Sequence, residues 1–133
     1  MAGQSIADTL FPRVAERFPG RGLRFEGDPR RCAVFPAVGA HIGDVRVCDD
    51  GDEVTVYPGH FLHAHFANYD DIPAAETARL ISNDVIELLD ALFSDQIAFW
   101  GPPSAGGWRW LDTSAGERPE DNEYVWSRPR KAI

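Results

Sequence analysis

The spacing of apolar residues changes period along this 133-residue chain, and this change constrains the fold more than any other sequence feature. Across residues 23–67, apolar and polar residues alternate with a period of two, as around Val45 and Val47. This alternation indicates consecutive antiparallel strands that each bury one face. Asp50-Gly51 lies within this region and favours a hairpin turn, because both residues tolerate a positive φ. The centre of the chain is therefore predicted to be a β-meander.

Two segments have a helical period instead. Apolar residues spaced four apart from Ile6 to Phe18 predict an amphipathic helix that ends at Pro19-Gly20. Apolar residues spaced three and four apart across residues 74–93 predict a longer helix whose opposite face is acidic. We expect the apolar stripe of this helix to face the sheet.

The order of these elements predicts one α+β domain over residues 1–133, with an antiparallel sheet of about five to six strands. The N-terminal helix and the long helix are expected to pack on one face of that sheet. The segments predicted after the long helix are strands at 96–100 and 107–111, a loop or disordered excursion at 113–122, a short edge strand at 124–126 and a basic tail at 128–133. In element order the chain resembles the small dimeric chaperones of type III secretion effectors, which place a helix before three strands and a second helix before two more.

Charge and hydropathy indicate which partners and which location to expect for this chain. The chain has 21 acidic and 13 basic residues, a net charge of −8, and its acids concentrate in the middle. An acidic surface repels phosphate backbones, so we expect no nucleic-acid partner. No stretch approaches the roughly 18 to 20 apolar residues that span a bilayer, and the N-terminus lacks a secretory pattern. We therefore expect no membrane partner and a cytoplasmic location, and abundant arginine beside the single Lys131 suggests a bacterial source.

Cys32 and Cys48 match neither a CxxC motif nor a disulfide framework. In a cytoplasmic chain, such isolated thiols are usually small buried hydrophobic side chains. We therefore expect both cysteines to be unpaired and structural.

Three of the four histidines lie within six residues, at His60, His63 and His65. In a strand, His63 and His65 project to the same side and can hold one metal ion, whereas His60 falls on the other side. The sequence leaves open a purely structural or pH-sensitive role for the pair. The candidates for a third metal ligand are His41, Asp44, Asp70 and Asp71.

Aromatic residues are concentrated in the last third of the chain. Trp108 and Trp110 share one strand face, and Trp126 follows nearby. Tryptophans in such a group form either a protein-binding surface or part of the core. We expect a non-catalytic protein-binding or self-associating module without a cofactor. The alternative is a metal-dependent hydrolase that uses His63 and His65 with zinc or another divalent metal.

Overall fold

The computed structural model describes residues 6–27, 31–39, 42–59, 63–67, 72–100, 107–111 and 124–129. Two helices and nine strands lie in these segments. In chain order they are α1 (Ile6–Arg17), β1 (Arg24–Glu26), β2 (Cys32–Phe35), β3 (Val45–Asp49), β4 (Glu53–Pro58), β5 (Ala64–Ala67), α2 (Ala74–Phe93), β6 (Ile97–Trp100), β7 (Gly107–Trp110), β8 (Tyr124–Val125) and β9 (Arg128–Pro129). Neither helix combines the length and the apolar character needed to cross a bilayer.

Strands β1 to β5 form an antiparallel sheet in sequence order, which confirms the predicted α+β class and central meander. The predicted turn joins β3 to β4. Gly51 has a φ of 99°, and its backbone N–H donates to Asp49 Oδ1 at 2.8 Å. The Asp50 N–H donates to the Glu53 carbonyl at 2.9 Å, so the turn fixes the register of β3 against β4.

The remaining strands form a second sheet in the order β7-β6-β8-β9. The sequence predicted one sheet and placed the strand at 124–126 on its edge. In the described residues, β8 instead lies between β6 and β9, because Tyr124 pairs with Phe99 and Val125 pairs with Arg128. Arg128 and Pro129 of the predicted tail therefore belong to a strand. The predicted loop at 113–122 lies outside the described residues.

The helices and both sheets meet in one apolar core. The α2 stripe predicted from the sequence is buried, and the side chains of α1 join the same cluster. At the C-terminal end of α2, the Phe93 ring lies 5.2 Å from Phe18, 5.0 Å from Phe35 and 5.3 Å from Trp126, measured between ring centroids. Phe93 thus connects α1, the five-stranded sheet and the segment that follows β8.

Cys32 and Cys48 form a disulfide, so the prediction of unpaired cysteines is wrong. The two residues lie directly opposite each other in the β2–β3 register, with Cα atoms 4.2 Å apart. The sequence spacing of 16 residues does not show this juxtaposition, because it depends on how two strands align across an intervening loop.

Candidate functional site

The register of the five-stranded sheet places one residue from each strand in a row. Residues directly opposite each other in an antiparallel pair project to the same face. The row, in order from β1 to β5, is Glu26, Cys32, Cys48, Thr55 and His65. It crosses the sheet on the face opposite to the one on which Val47 and Val56 join the core. The histidine pair therefore lies at one end of this row, on the surface of the sheet.

Thr55 links His65 to the turn between β3 and β4. Its side chain is buried, and its Oγ1 donates to Asp50 Oδ2 at 2.5 Å. The same Oγ1 lies 3.1 Å from His65 Nδ1, and Glu53 Oε1 lies 3.3 Å from that nitrogen. Two oxygens thus converge on one ring nitrogen of His65.

The charge state of Asp50 follows from these contacts. The hydrogen bond from Thr55 lowers the pKa of the Asp50 carboxyl most, and a side-chain hydrogen bond from Arg31 lowers it further, against the opposing effect of burial. Asp50 is therefore ionised at neutral pH and is an acceptor for both donors.

His63 lies beside His65, with ring centroids 5.0 Å apart, and Tyr57 is the next aromatic neighbour at 6.2 Å. Both histidines are exposed. The structure thus places the predicted pair together on one side of the strand. The predicted third ligands His41, Asp70 and Asp71, together with His60, lie outside the described residues.

Asp44, the remaining candidate ligand, is engaged by other groups. Its Oδ1 accepts a hydrogen bond from the Ala37 backbone N–H at 2.9 Å, and its Oδ2 pairs with Arg24 at 3.3 Å. The Ala37 N–H lowers the pKa of the Asp44 carboxyl most, and Arg24 adds to that effect. Within the segments that the structure describes, no three or more His, Cys, Asp or Glu side chains form a group that could hold a metal ion.

A second candidate surface lies on β7. Trp108 is opposite Phe99 and Trp110 is opposite Ile97 in the β6–β7 register, so each pair projects to one face. Phe99 and Ile97 are buried, whereas Trp108 is 37% exposed and Trp110 is 51% exposed. Among the described strands β7 pairs with β6 alone. The apolar face of the second sheet therefore extends into solvent along an edge strand.

Trp126, the third predicted binding residue, has a different environment. It is 2% exposed and packs edge-on against Phe93. Of the two roles that the sequence left open for these tryptophans, the core position applies to Trp126.

No protein family, curated protein or solved structure matches this chain. The resemblance in element order to type III secretion chaperones therefore stays a sequence interpretation. The function has to be argued from the two surfaces themselves.

Sequence reasoning missed three residues of the histidine site, namely Asp50, Glu53 and Thr55. A signal for them exists in the Asp-Gly turn, because a tight β3–β4 hairpin brings Asp50 next to Glu53 and Thr55. Their contact with His65 requires the β4–β5 register as well, and Pro58-Gly59 marks a turn after β4 without fixing which residues of the two strands pair.

Proposed function

We propose that this protein is a non-catalytic protein-binding module that adds an extended segment of a partner protein to the edge of β7 that pairs with no described strand. The observation that supports this proposal is the exposure of Trp108 and Trp110 on an edge strand, in continuity with the buried Ile97 and Phe99. Strand addition combines backbone hydrogen bonds along the edge with side-chain contacts on one face.

The two tryptophans supply the apolar part of such an interaction. A tryptophan buries on the order of 150–250 Å² and loses little conformational entropy on binding, which is why tryptophans recur as hot spots in interfaces. Trp110 is the more exposed of the two, so more of its surface is available to a partner. We therefore expect Trp110 to contribute more to binding than Trp108.

The charge of the whole chain, and not that of β7, is the basis for the proposed partner, because residues 96–133 contain five acidic and five basic side chains. The net charge of −8 opposes the approach of a second copy of the same chain and favours a positively charged partner. The proposed partner is an extended segment with apolar residues at alternate positions and lysine or arginine between them.

A fluorescence-anisotropy titration with a labelled ten-residue peptide of alternating valine and lysine tests this proposal. We expect saturable binding that weakens at least tenfold in Trp110→Ala, because central interface tryptophans often contribute about 2 kcal/mol or more. The matched control is Tyr57→Ala, which removes an exposed aromatic ring from the other sheet. A second peptide with glutamate in place of lysine is expected to bind more weakly.

Equal affinity of wild type and Trp110→Ala for the lysine peptide would overturn the proposal. Light scattering across a concentration series tests self-association separately. A dimer that dissociates in Trp110→Ala would show that the edge binds a second copy instead of a basic segment. We expect the double substitution His63→Ala/His65→Ala to leave peptide binding unchanged.

A further inference from the structure

We propose that His63 and His65 form a two-imidazole binding site for a divalent transition metal ion such as Zn²⁺, with Glu53 as a positioning residue for His65. The remaining coordination positions are filled by water. This site lies on the five-stranded sheet, and the proposal does not depend on the protein-binding role of β7.

The separation of the two rings matches shared coordination of one ion. With Zn–N bonds of about 2.0–2.1 Å and tetrahedral angles, two imidazole rings on one zinc have centroids roughly 5 Å apart. The centroids of His63 and His65 are 5.0 Å apart. The spacing of the two rings therefore suits coordination of one ion, with each ring turned so that a nitrogen faces it.

Contacts of His65 Nδ1 leave its other nitrogen available as a ligand. Thr55 Oγ1 gives its only proton to Asp50, so it accepts a hydrogen bond from His65 Nδ1. The Glu53 carboxylate is a second acceptor at the same nitrogen. Because both neighbours accept, Nδ1 carries the proton of the neutral ring, and the lone pair lies on Nε2. A carboxylate that fixes a histidine in this way also raises its basicity toward a metal.

The chemistry of the ligands determines which ions bind. Imidazole nitrogen binds zinc, copper and nickel well, whereas magnesium and calcium prefer several oxygen ligands. Asp50 and Glu53 also place carboxylates beside the pair, which favours a cation. Asp50 is itself paired with Arg31, so Glu53 is the carboxylate that acts directly on His65.

Isothermal titration of untagged protein with zinc chloride tests this site. We expect one zinc per chain in wild type and at least tenfold weaker binding in His63→Ala and in His65→Ala. Loss of a carboxylate that orients a ligating histidine typically weakens metal binding 10–100-fold, and we expect Glu53→Gln to fall in that range. The matched control is Glu26→Gln, which removes one carboxylate at the other end of the same row across the sheet.

The tautomer of the His65 ring shows whether Glu53 orients this ring or only stabilises the fold around it. In metal-free protein, imidazole ¹H–¹⁵N spectra are expected to show the Nδ1–H form of His65 in wild type and a smaller fraction of that form in Glu53→Gln, where Thr55 Oγ1 remains as one acceptor. Thermal melts of the metal-free variants verify that they fold. Substitution of an exposed histidine is not expected to impair folding.

Three results would overturn the proposal. The first is zinc affinity that is unchanged in both histidine variants. The second is magnesium binding of equal strength, which would indicate a general acidic surface. The third is an equal loss of zinc binding in His41→Ala, which would show that a third histidine of the chain is required. Wild-type zinc affinity and ring tautomer in Glu53→Gln would overturn the positioning role.

Discussion

Cys32 and Cys48 lie directly opposite each other on β2 and β3 and are joined by a disulfide that closes a loop of 16 residues. A cross-link of this span lowers the entropy of the unfolded chain and stabilises the folded state by about 3 kcal/mol. We expect reduction to lower the free energy of unfolding by about that amount. Urea denaturation with and without dithiothreitol measures the difference.

The double variant Cys32→Ala/Cys48→Ala is the control, because its stability is expected not to respond to reductant. Thiol labelling of native protein should modify no cysteine before reduction and both afterwards. Two reactive thiols in protein purified without reductant would contradict the disulfide. Stable disulfides are typical of oxidising compartments, so the same labelling in cell extracts also tests the predicted cytoplasmic location.

Thr55 is a buried residue whose hydroxyl donates to Asp50 and lies 3.1 Å from His65 Nδ1. Thr55→Val keeps the shape of the side chain but leaves the Asp50 carboxylate without its buried donor. We expect a loss of about 1–3 kcal/mol in the free energy of unfolding, with the pKa of Asp50 moving up toward its usual value. Urea unfolding and an NMR titration of the Asp50 carboxyl measure the two effects.

Thr55→Ser retains the hydroxyl and is expected to keep the low pKa of Asp50. If Thr55→Val left both the stability and the Asp50 titration at wild-type values, Thr55 would not have the linking role described above.

Asp44 makes the stability of the sheet sensitive to acid. The Ala37 backbone N–H, followed by Arg24, holds the pKa of Asp44 below its ordinary value of 3.8. A carboxyl whose pKa is lower in the folded state stabilises that state above the unfolded pKa, and the contribution disappears as pH falls through the folded pKa. We therefore expect wild type to be more stable than Asp44→Asn at neutral pH, with the difference shrinking below about pH 4.

Chemical unfolding of both proteins between about pH 6 and pH 2.5 measures this difference. Asp52→Asn is the control, because it removes an exposed carboxylate in the β3–β4 turn. If the difference in the free energy of unfolding between wild type and Asp44→Asn stayed constant across this pH range, Asp44 would not make the stability depend on acid.

Phe93 is the aromatic side chain that connects the two sheets, through Phe35 on one side and Trp126 on the other. Phe93→Ala is expected to lower the free energy of unfolding by about 3–5 kcal/mol, because it removes a buried ring and leaves a cavity. Denaturant unfolding monitored by tryptophan fluorescence measures this loss, and the native spectrum should change as Trp126 loses its neighbour.

Tyr57→Ala is the comparison for Phe93→Ala. It removes a ring of similar size from an exposed position on β4 and is expected to change stability by about 0.5 kcal/mol or less. Similar losses in the two variants would mean that Phe93 has no special part in joining the sheets.

The sequence alone determined the two helices and the central meander of this protein. The spacing of apolar residues predicted α2 with the bounds that the structure shows, and the alternation in residues 23–67 predicted the meander. It also placed His63 and His65 on the same side of a strand. These features follow from the periods of single elements, which are 3.6 residues in a helix and two in a strand. Each period is visible in the sequence of one segment alone.

Only the tertiary structure decided which residues meet across elements. The Cys32–Cys48 pair and the approach of Thr55 and Glu53 to His65 depend on strand register. The burial of Trp126 and the exposure of Trp110 depend on which strands form the second sheet and on the packing of Trp126 against Phe93. Register and sheet partners are set by backbone hydrogen bonds and packing between distant segments, and a period read along one segment carries no information about its partner.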